Sequence, residues 1–211
     1  MSDAARTTQR TYDAIAEAFL ERTADLRRSQ PWLDHFAAAL PPGALVADVG
    51  SGPGRDTHGL RACGLRAIAL DRSRGMLRAG RVRYPADRVQ ADLLALPLGT
   101  ASVAGVWANA CLLHLPEAEM PAALAEIRRV LVPGGRLHLT LKRGEGAGWE
   151  TERYGGPRFF QYWTGDALDA ALADAGFEVR IRAFAPTPSA DWLVRQCERR
   201  DWARGCEPAA W

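Results

Sequence analysis

The chain has 211 residues, 47% of them hydrophobic, so it is long enough to bury one full core, and one α/β domain is the natural count. With 27 basic and 25 acidic residues interleaved, its net charge of +2 argues against a nucleic-acid or membrane-surface partner. No N-terminal apolar run and no 18-residue hydrophobic span occurs, which argues against a signal peptide or membrane anchor and points to a cytoplasmic protein.

Residues 4–27 carry Tyr12, Ile15, Ala16, Phe19 and Leu20 at helical spacing, and a second helix is expected over 31–40, before Pro41-Pro42-Gly43. These elements form an N-terminal helical cap, 1–43. A domain over 44–200 and a peripheral tail over 201–211 complete the layout. Strand 44–49 then ends in Asp48 and opens into Gly50-Ser51-Gly52-Pro53-Gly54-Arg55. Glycines there permit positive φ and let a ligand press against bare backbone, while the helix expected over 55–63 offers free N–H groups to a polar ligand end. By itself, such a loop is also an ordinary strand-to-helix turn.

The next strand, 65–70, ends at Asp71, about twenty residues on, where a carboxylate can accept hydrogen bonds from ribose hydroxyls. Asp71 can equally cap the helix expected over 73–82, near Ser73. A third strand, 88–91, ends at Asp92-Leu93. The ordered series Asp48, Gly50–Gly54, Asp71, Asp92 carries far more weight than any single member. Further on come a loop over 93–100, a strand over 102–109, an amphipathic helix over 117–131 and a strand over 136–142. A long aromatic loop is expected over 143–162, then a helix over 165–175 and strands over 177–184 and 191–197. The alternation specifies a doubly wound, Rossmann-like α/β fold: a seven-stranded, mostly parallel sheet whose last strand is antiparallel. Ligands bind such sheets at the carboxyl ends of the strands, where all the acids lie.

The runs Asp48-Val49-Gly50-Ser51-Gly52-Pro53-Gly54, Leu70-Asp71-Arg72-Ser73, Ala91-Asp92-Leu93 and Arg128 to Leu137 resemble those of the class I S-adenosylmethionine-dependent methyltransferases, in their small single-domain branch. The resemblance covers roughly residues 10–185. It implies a glycine loop (Gly50, Ser51, Gly52, Gly54, with Asp48 and Arg55) against the methionine part of S-adenosyl-L-methionine. It implies Asp71, with Arg72 and Met76, at the ribose, Asp92 and Leu93 at the adenine, and Asn109 after the fourth strand. It also implies a small-molecule acceptor, methylated on O or N by direct in-line transfer.

Several residues stand open between two roles. Tyr12 is read as a cofactor lid or as core packing. His114, in Asn109-Ala110-Cys111-Leu112-Leu113-His114, is a candidate general base, since imidazole titrates near working pH, or else a helix cap or pocket wall. Cys111, Arg158 and Tyr162 are candidate substrate contacts, with Phe160 and Trp163 expected to point inward and Trp192 to be strand-buried. The segment Arg-Phe-Phe-Gln-Tyr-Trp resembles one found in bacterial members that carry an acid after the lysine ending strand five. Arg143 stands there instead, so substrate inference from those members does not transfer. No metal is expected, because the segment after strand four lacks a pair of acids. The four cysteines show no Cys-x-x-Cys spacing and read as free thiols. An NAD-dependent oxidoreductase is a second reading, weakened by Arg55 at the third glycine position; a non-catalytic partner protein with the same pocket is a third. Oligomeric state is not legible.

Overall fold

A computed structural model describes residues 2–27, 29–152, 155–188 and 190–200. The tail expected over 201–211, with Trp202, Cys206 and Trp211, lies outside them. Two helices come first, α1 (Asp3–Arg22) and α2 (Gln30–Ala38). They are followed by β1 (Leu45–Val49), α3 (Arg55–Ala62), β2 (Arg66–Asp71), α4 (Arg74–Ala79), β3 (Arg88–Gln90) and β4 (Val103–Asn109). The second half holds α5 (Met120–Val130), β5 (Leu131–Lys142), β6 (Ala147–Glu150), β7 (Arg158–Gln161), α6 (Gly165–Asp174), β8 (Phe177–Thr187) and β9 (Ala190–Arg199).

Seven strands form one sheet in the order β3-β2-β1-β4-β5-β9-β8. All pair in parallel except β9, which runs antiparallel to both β5 and β8. The fold expected from the alternation is therefore the fold observed. The chain winds outward from β1 to β3, then returns to place β4 on the other side of β1. That reversal opens a crevice between the carboxyl ends of β1 and β4.

β1 is buried on both faces, as a central parallel strand must be. Alternate side chains divide the core. Val46 and Trp107 meet Leu33 and Phe36 of α2 and Leu60 of α3, whereas Ala47, Val49 and Val106 join Leu124 and Ile127 of α5 and Leu168 of α6 on the opposite face. Among the described residues, no helix is long and apolar enough to cross a membrane.

Three stretches differ from expectation. The long loop contains a hairpin: β6 and β7 pair antiparallel from Ala147↔Gln161 to Glu150↔Arg158. Glycine-rich sequence hid the first of these strands. β5 pairs from Leu131 and resumes at Arg136, with Pro133-Gly134 in the irregularity between, because the chain leaves α5 directly onto β4. β8 and β9 also extend beyond the expected spans, to a tip at Thr187 and Ala190.

α1 is straddled. On one side Asp13 Oδ1 accepts from Ser73 Oγ (2.6 Å) and from the Gly75 amide (2.8 Å) at the start of α4. A Cβ on Gly75 would stand 2.6 Å from the Asp13 carbonyl oxygen, so the helices touch only because that residue has no side chain. On the other side Thr11 Oγ1 donates to the Pro157 carbonyl (2.7 Å), and Thr8 Oγ1 accepts from the Phe159 amide (3.0 Å). Replacing Gly75 with alanine should cost about 1–3 kcal/mol through overpacking. Hydrogen exchange should then show α1 losing protection ahead of β1 and β4; uniform loss across both would contradict the docking role.

Candidate functional site

The crevice at the β1–β4 reversal opens into a cavity of ≈ 650 Å³, within the range of small-molecule sites. Its floor is the turn after β1. Gly50 and Gly52 have φ of 65° and 56°, and a Cβ on Gly50 would lie 2.2 Å from that of Cys111. Over Gly52, by contrast, the nearest atom to such a Cβ is on Phe19 at 3.8 Å, leaving bare backbone facing the cavity. Arg88 fixes the turn from behind by donating to the Pro53 carbonyl (3.0 Å) and the Gly80 carbonyl (2.9 Å).

The strand-tip acids converge here. Asp71, half-buried, accepts the Gly52 amide (2.8 Å) on one oxygen and the Ser73 amide (2.7 Å) on the other. Burial raises its pKa to about 6 against the pull of those amides. Each of its oxygens keeps further acceptor capacity. Asp92 pairs with Arg72 (2.5 Å) and accepts the Leu94 amide (3.0 Å). Asp48 is buried, accepts from Thr57 Oγ1 and is pushed well above the usual carboxylate range by burial and by Asp56.

A residue that sequence reasoning passed over organises the next stretch. Buried Asp56 accepts from Arg55 Nε (2.8 Å), Trp107 Nε1 (3.1 Å), Asn109 Nδ2 (2.6 Å) and Ser29 Oγ (3.3 Å). These donors hold it below its ordinary pKa against the cost of burial. The amide oxygen of Asn109 accepts from Thr140 Oγ1 (2.6 Å), so both polar ends of that side chain are committed. Arg55 also reaches the Thr23 carbonyl (3.1 Å), joining α3 to the end of α1. The signal for Asp56 was its place in the first turn of α3, but only the fold brings Trp107 and Asn109 to it.

At the far side, His114 is half-buried and spoken for. Its Nδ1–H donates to the Phe159 carbonyl (2.6 Å), which can only accept. Burial above all lowers its pKa to about 4, so the ring is neutral and Nε2 accepts from the Tyr12 hydroxyl (2.9 Å). The one lone pair that a general base needs is thus taken by Tyr12. Arg158, buried, lies over the rings of Phe160 (5.1 Å) and Tyr12 (5.8 Å). Lys142, which ends β5, and Glu150, a pair that sequence reasoning did not single out, complete this end of the lining.

Of the residues singled out from sequence, Tyr12, Asp48, Gly50, Ser51, Gly52, Arg55, Asp71, Arg72, Met76, Asp92, Leu93, Asn109, Cys111, His114 and Arg158 all line this cavity. Gly54 does not; with φ 93° it caps α3. Tyr162 does not line it either; its hydroxyl donates to the lining residue Glu150 (2.9 Å). Phe160 and Trp163 are inward, and Trp192 is half-buried on β9, where it lines the cavity. The Cys111 thiol is pushed far up by burial and by Asp48 and Asp71, which makes it an inert wall.

Residues 46–135 match a family model described as a methyltransferase domain. The chain is 32% identical over 170 residues to a malonyl-[acyl-carrier protein] O-methyltransferase from Enterobacter lignolyticus, covering 76% of this chain and 65% of that protein. It is 38% identical over 102 residues to a demethylmenaquinone methyltransferase from Renibacterium salmoninarum, covering 48% and 42% respectively. It thus spans less than two thirds of these relatives' own lengths. Its fold is that of 1,6-didemethyltoxoflavin-N1-methyltransferase from Burkholderia thailandensis, solved with 1,6-didemethyltoxoflavin and S-adenosylhomocysteine. That likeness has a TM-score of 0.77 at 22% identity and covers 95% of this chain and 92% of that one.

Nitrogen-15 NMR should find the His114 proton on Nδ1 and no titration of that ring between pH 5 and pH 8, in keeping with its pKa of about 4. A midpoint near 6.5 would break the assignment.

Proposed function

We propose that this chain, whose residues 46–135 match the methyltransferase-domain family, is an enzyme that transfers the methyl group of S-adenosyl-L-methionine to an oxygen or nitrogen atom of a small acceptor. The observation that carries this reading is the convergence of Asp71, Asp92 and the bare backbone of Gly52 on one cavity at the sheet's reversal point. The donor set fits the cofactor's chemistry. Asp71 offers acceptor capacity at the distance from the glycine turn that a ribose diol requires, and Asp92 stands at the neighbouring strand tip, where the base belongs. The open surface over Gly52 suits a chain that must lie against backbone. When bound, the cofactor supplies a sulfonium-activated methyl carbon.

What the protein adds is placement. Tyr12 on α1 closes the cavity from above, and His114 fixes the Tyr12 hydroxyl rather than moving a proton. Arg55 and Asp56 brace the turn and the tip of β4. Holding a nucleophile in line with the carbon–sulfur bond and excluding water can contribute roughly 7–11 kcal/mol at best. The helical cap and the acceptor end around Arg158 and Phe160 belong to the same proposal. A nicotinamide reading draws less support: Arg55, where the third glycine would stand, is anchored to Asp56 and to Thr23. A related malonyl-carrier methyltransferase and a related quinone-precursor methyltransferase suggest acyl or aromatic acceptors without choosing between them.

Calorimetry should register S-adenosylhomocysteine binding and no NAD binding; the reverse would overturn the reading. Ribose hydroxyls donate to the ionised carboxylate, so affinity should hold above the Asp71 pKa of about 6 and weaken as pH falls below it, by up to about tenfold per unit. Asp71→Asn should flatten that slope, and Asp71→Ala should cost about 1–3 kcal/mol of binding at pH 7.5.

A further inference from the structure

The acceptor end of the cavity contains a charge arrangement that methyl transfer in general does not require. The chain writes all but one of its 27 basic residues as arginine, and the exception, Lys142, is buried in the lining. It stands last on β5 with its ammonium 3.8 Å from the centre of the Phe160 ring. Glu150, across on β6, pairs with it and also accepts from the Tyr162 hydroxyl (2.9 Å). A guanidinium would lock onto this carboxylate with its fork. A compact ammonium has three donors, so it can hold Glu150 with one and offer another to a second oxygen. Lys142 is buried and Glu150 half-buried, so the pair adds little stability over apolar packing and leaves the ammonium facing the cavity lining.

A second observation points the same way. Among the described lining residues at this end, none is poised to remove a proton. His114 has given its lone pair to Tyr12, and Glu150, tied to Lys142 and Tyr162, is held below the ordinary glutamate range. After burial itself, the charges that keep His114 neutral are those of Arg158 and Lys142, with Glu150 opposing them. Two cations, Arg158 and Lys142, thus face one carboxylate, Glu150, in the lining at this end.

We propose that the acceptor is an oxygen acid that enters already ionised, as a carboxylate or an acidic enol or phenol, and that Lys142, opposed by Glu150, selects it. This deepens the methyl-transfer reading and rests on it. In the step implied, an electron pair on the anionic oxygen forms the bond to the methyl carbon while the carbon–sulfur bond breaks and its pair returns to sulfur. An anion and a sulfonium become two neutral groups, and no proton changes hands, so no base is needed. For a carboxylate, one oxygen rests on Lys142 while the other attacks.

The test is calorimetry on the full chain saturated with S-adenosylhomocysteine, titrated with benzoate, phenylacetate and hexanoate, each against its primary amide. The acids should bind about tenfold or more tightly than the amides, the scale of a hydrogen bond to a charged group. Lys142→Met, which keeps the aliphatic reach over Phe160, should abolish that preference. Glu150→Gln, which removes only the opposing charge, should enlarge it. Opposite responses of the two variants are what a merely structural pair would not give. Equal binding of acids and amides, a preference that survives Lys142→Met, or one that shrinks in Glu150→Gln would overturn the proposal while leaving cofactor binding intact. Failure of the wild-type chain to bind S-adenosylhomocysteine at all would instead sink the reading beneath it.

Discussion

Two amide hydrogens, from Gly52 and Ser73, converge on the Asp71 carboxylate, and much of the site follows from that meeting. Asp71 ends β2, Gly52 lies in the turn after β1, and Ser73 caps α4. One side chain therefore fixes the bend of the glycine turn, the tip of the neighbouring strand and the start of the next helix relative to each other. Burial makes the ionised form costly, and the amides offset only part of that cost. The carboxylate is consequently left wanting more donors, on the side that faces the cavity.

The same economy of partners governs the far wall. His114 looks, as a residue type in a chain, like a proton carrier. In place it is a spacer with a fixed tautomer, its two nitrogens joining α1 to β7 through Tyr12 and Phe159. Asp56 performs a comparable task between α2, α3 and β4. Both residues have their polar atoms engaged by other parts of the fold.

The sheet and the cofactor end were legible in sequence because they depend on local, periodic signals. Apolar strands ended in acids, glycines stood where positive φ was needed, and nearly every residue marked there does line the cavity. The acceptor end was less legible. β6 has glycine at 148 and only one large apolar residue, Trp149, so its strand pattern was too weak to read, and without the hairpin Glu150 had no place beside Lys142. Tyr162 was assigned to the ligand on type and neighbourhood, yet it stands behind Glu150, to which its hydroxyl donates. The role of Asp56 depends on four donors scattered from residue 29 to residue 109, a grouping that only tertiary structure creates.

The strap formed by α1 has a consequence for how the chain comes to its final form. Thr11 meets Pro157 at a sequence separation of 146, and Thr8 meets Phe159 at 151. α1 can dock on α4 early, through Asp13, but its second seat must wait for β7. The sheet is completed later still, because β9, which pairs with β5, follows β7 in the chain. The wall of the cavity that Tyr12 and Arg158 share therefore takes shape only once α1 and β7 have met.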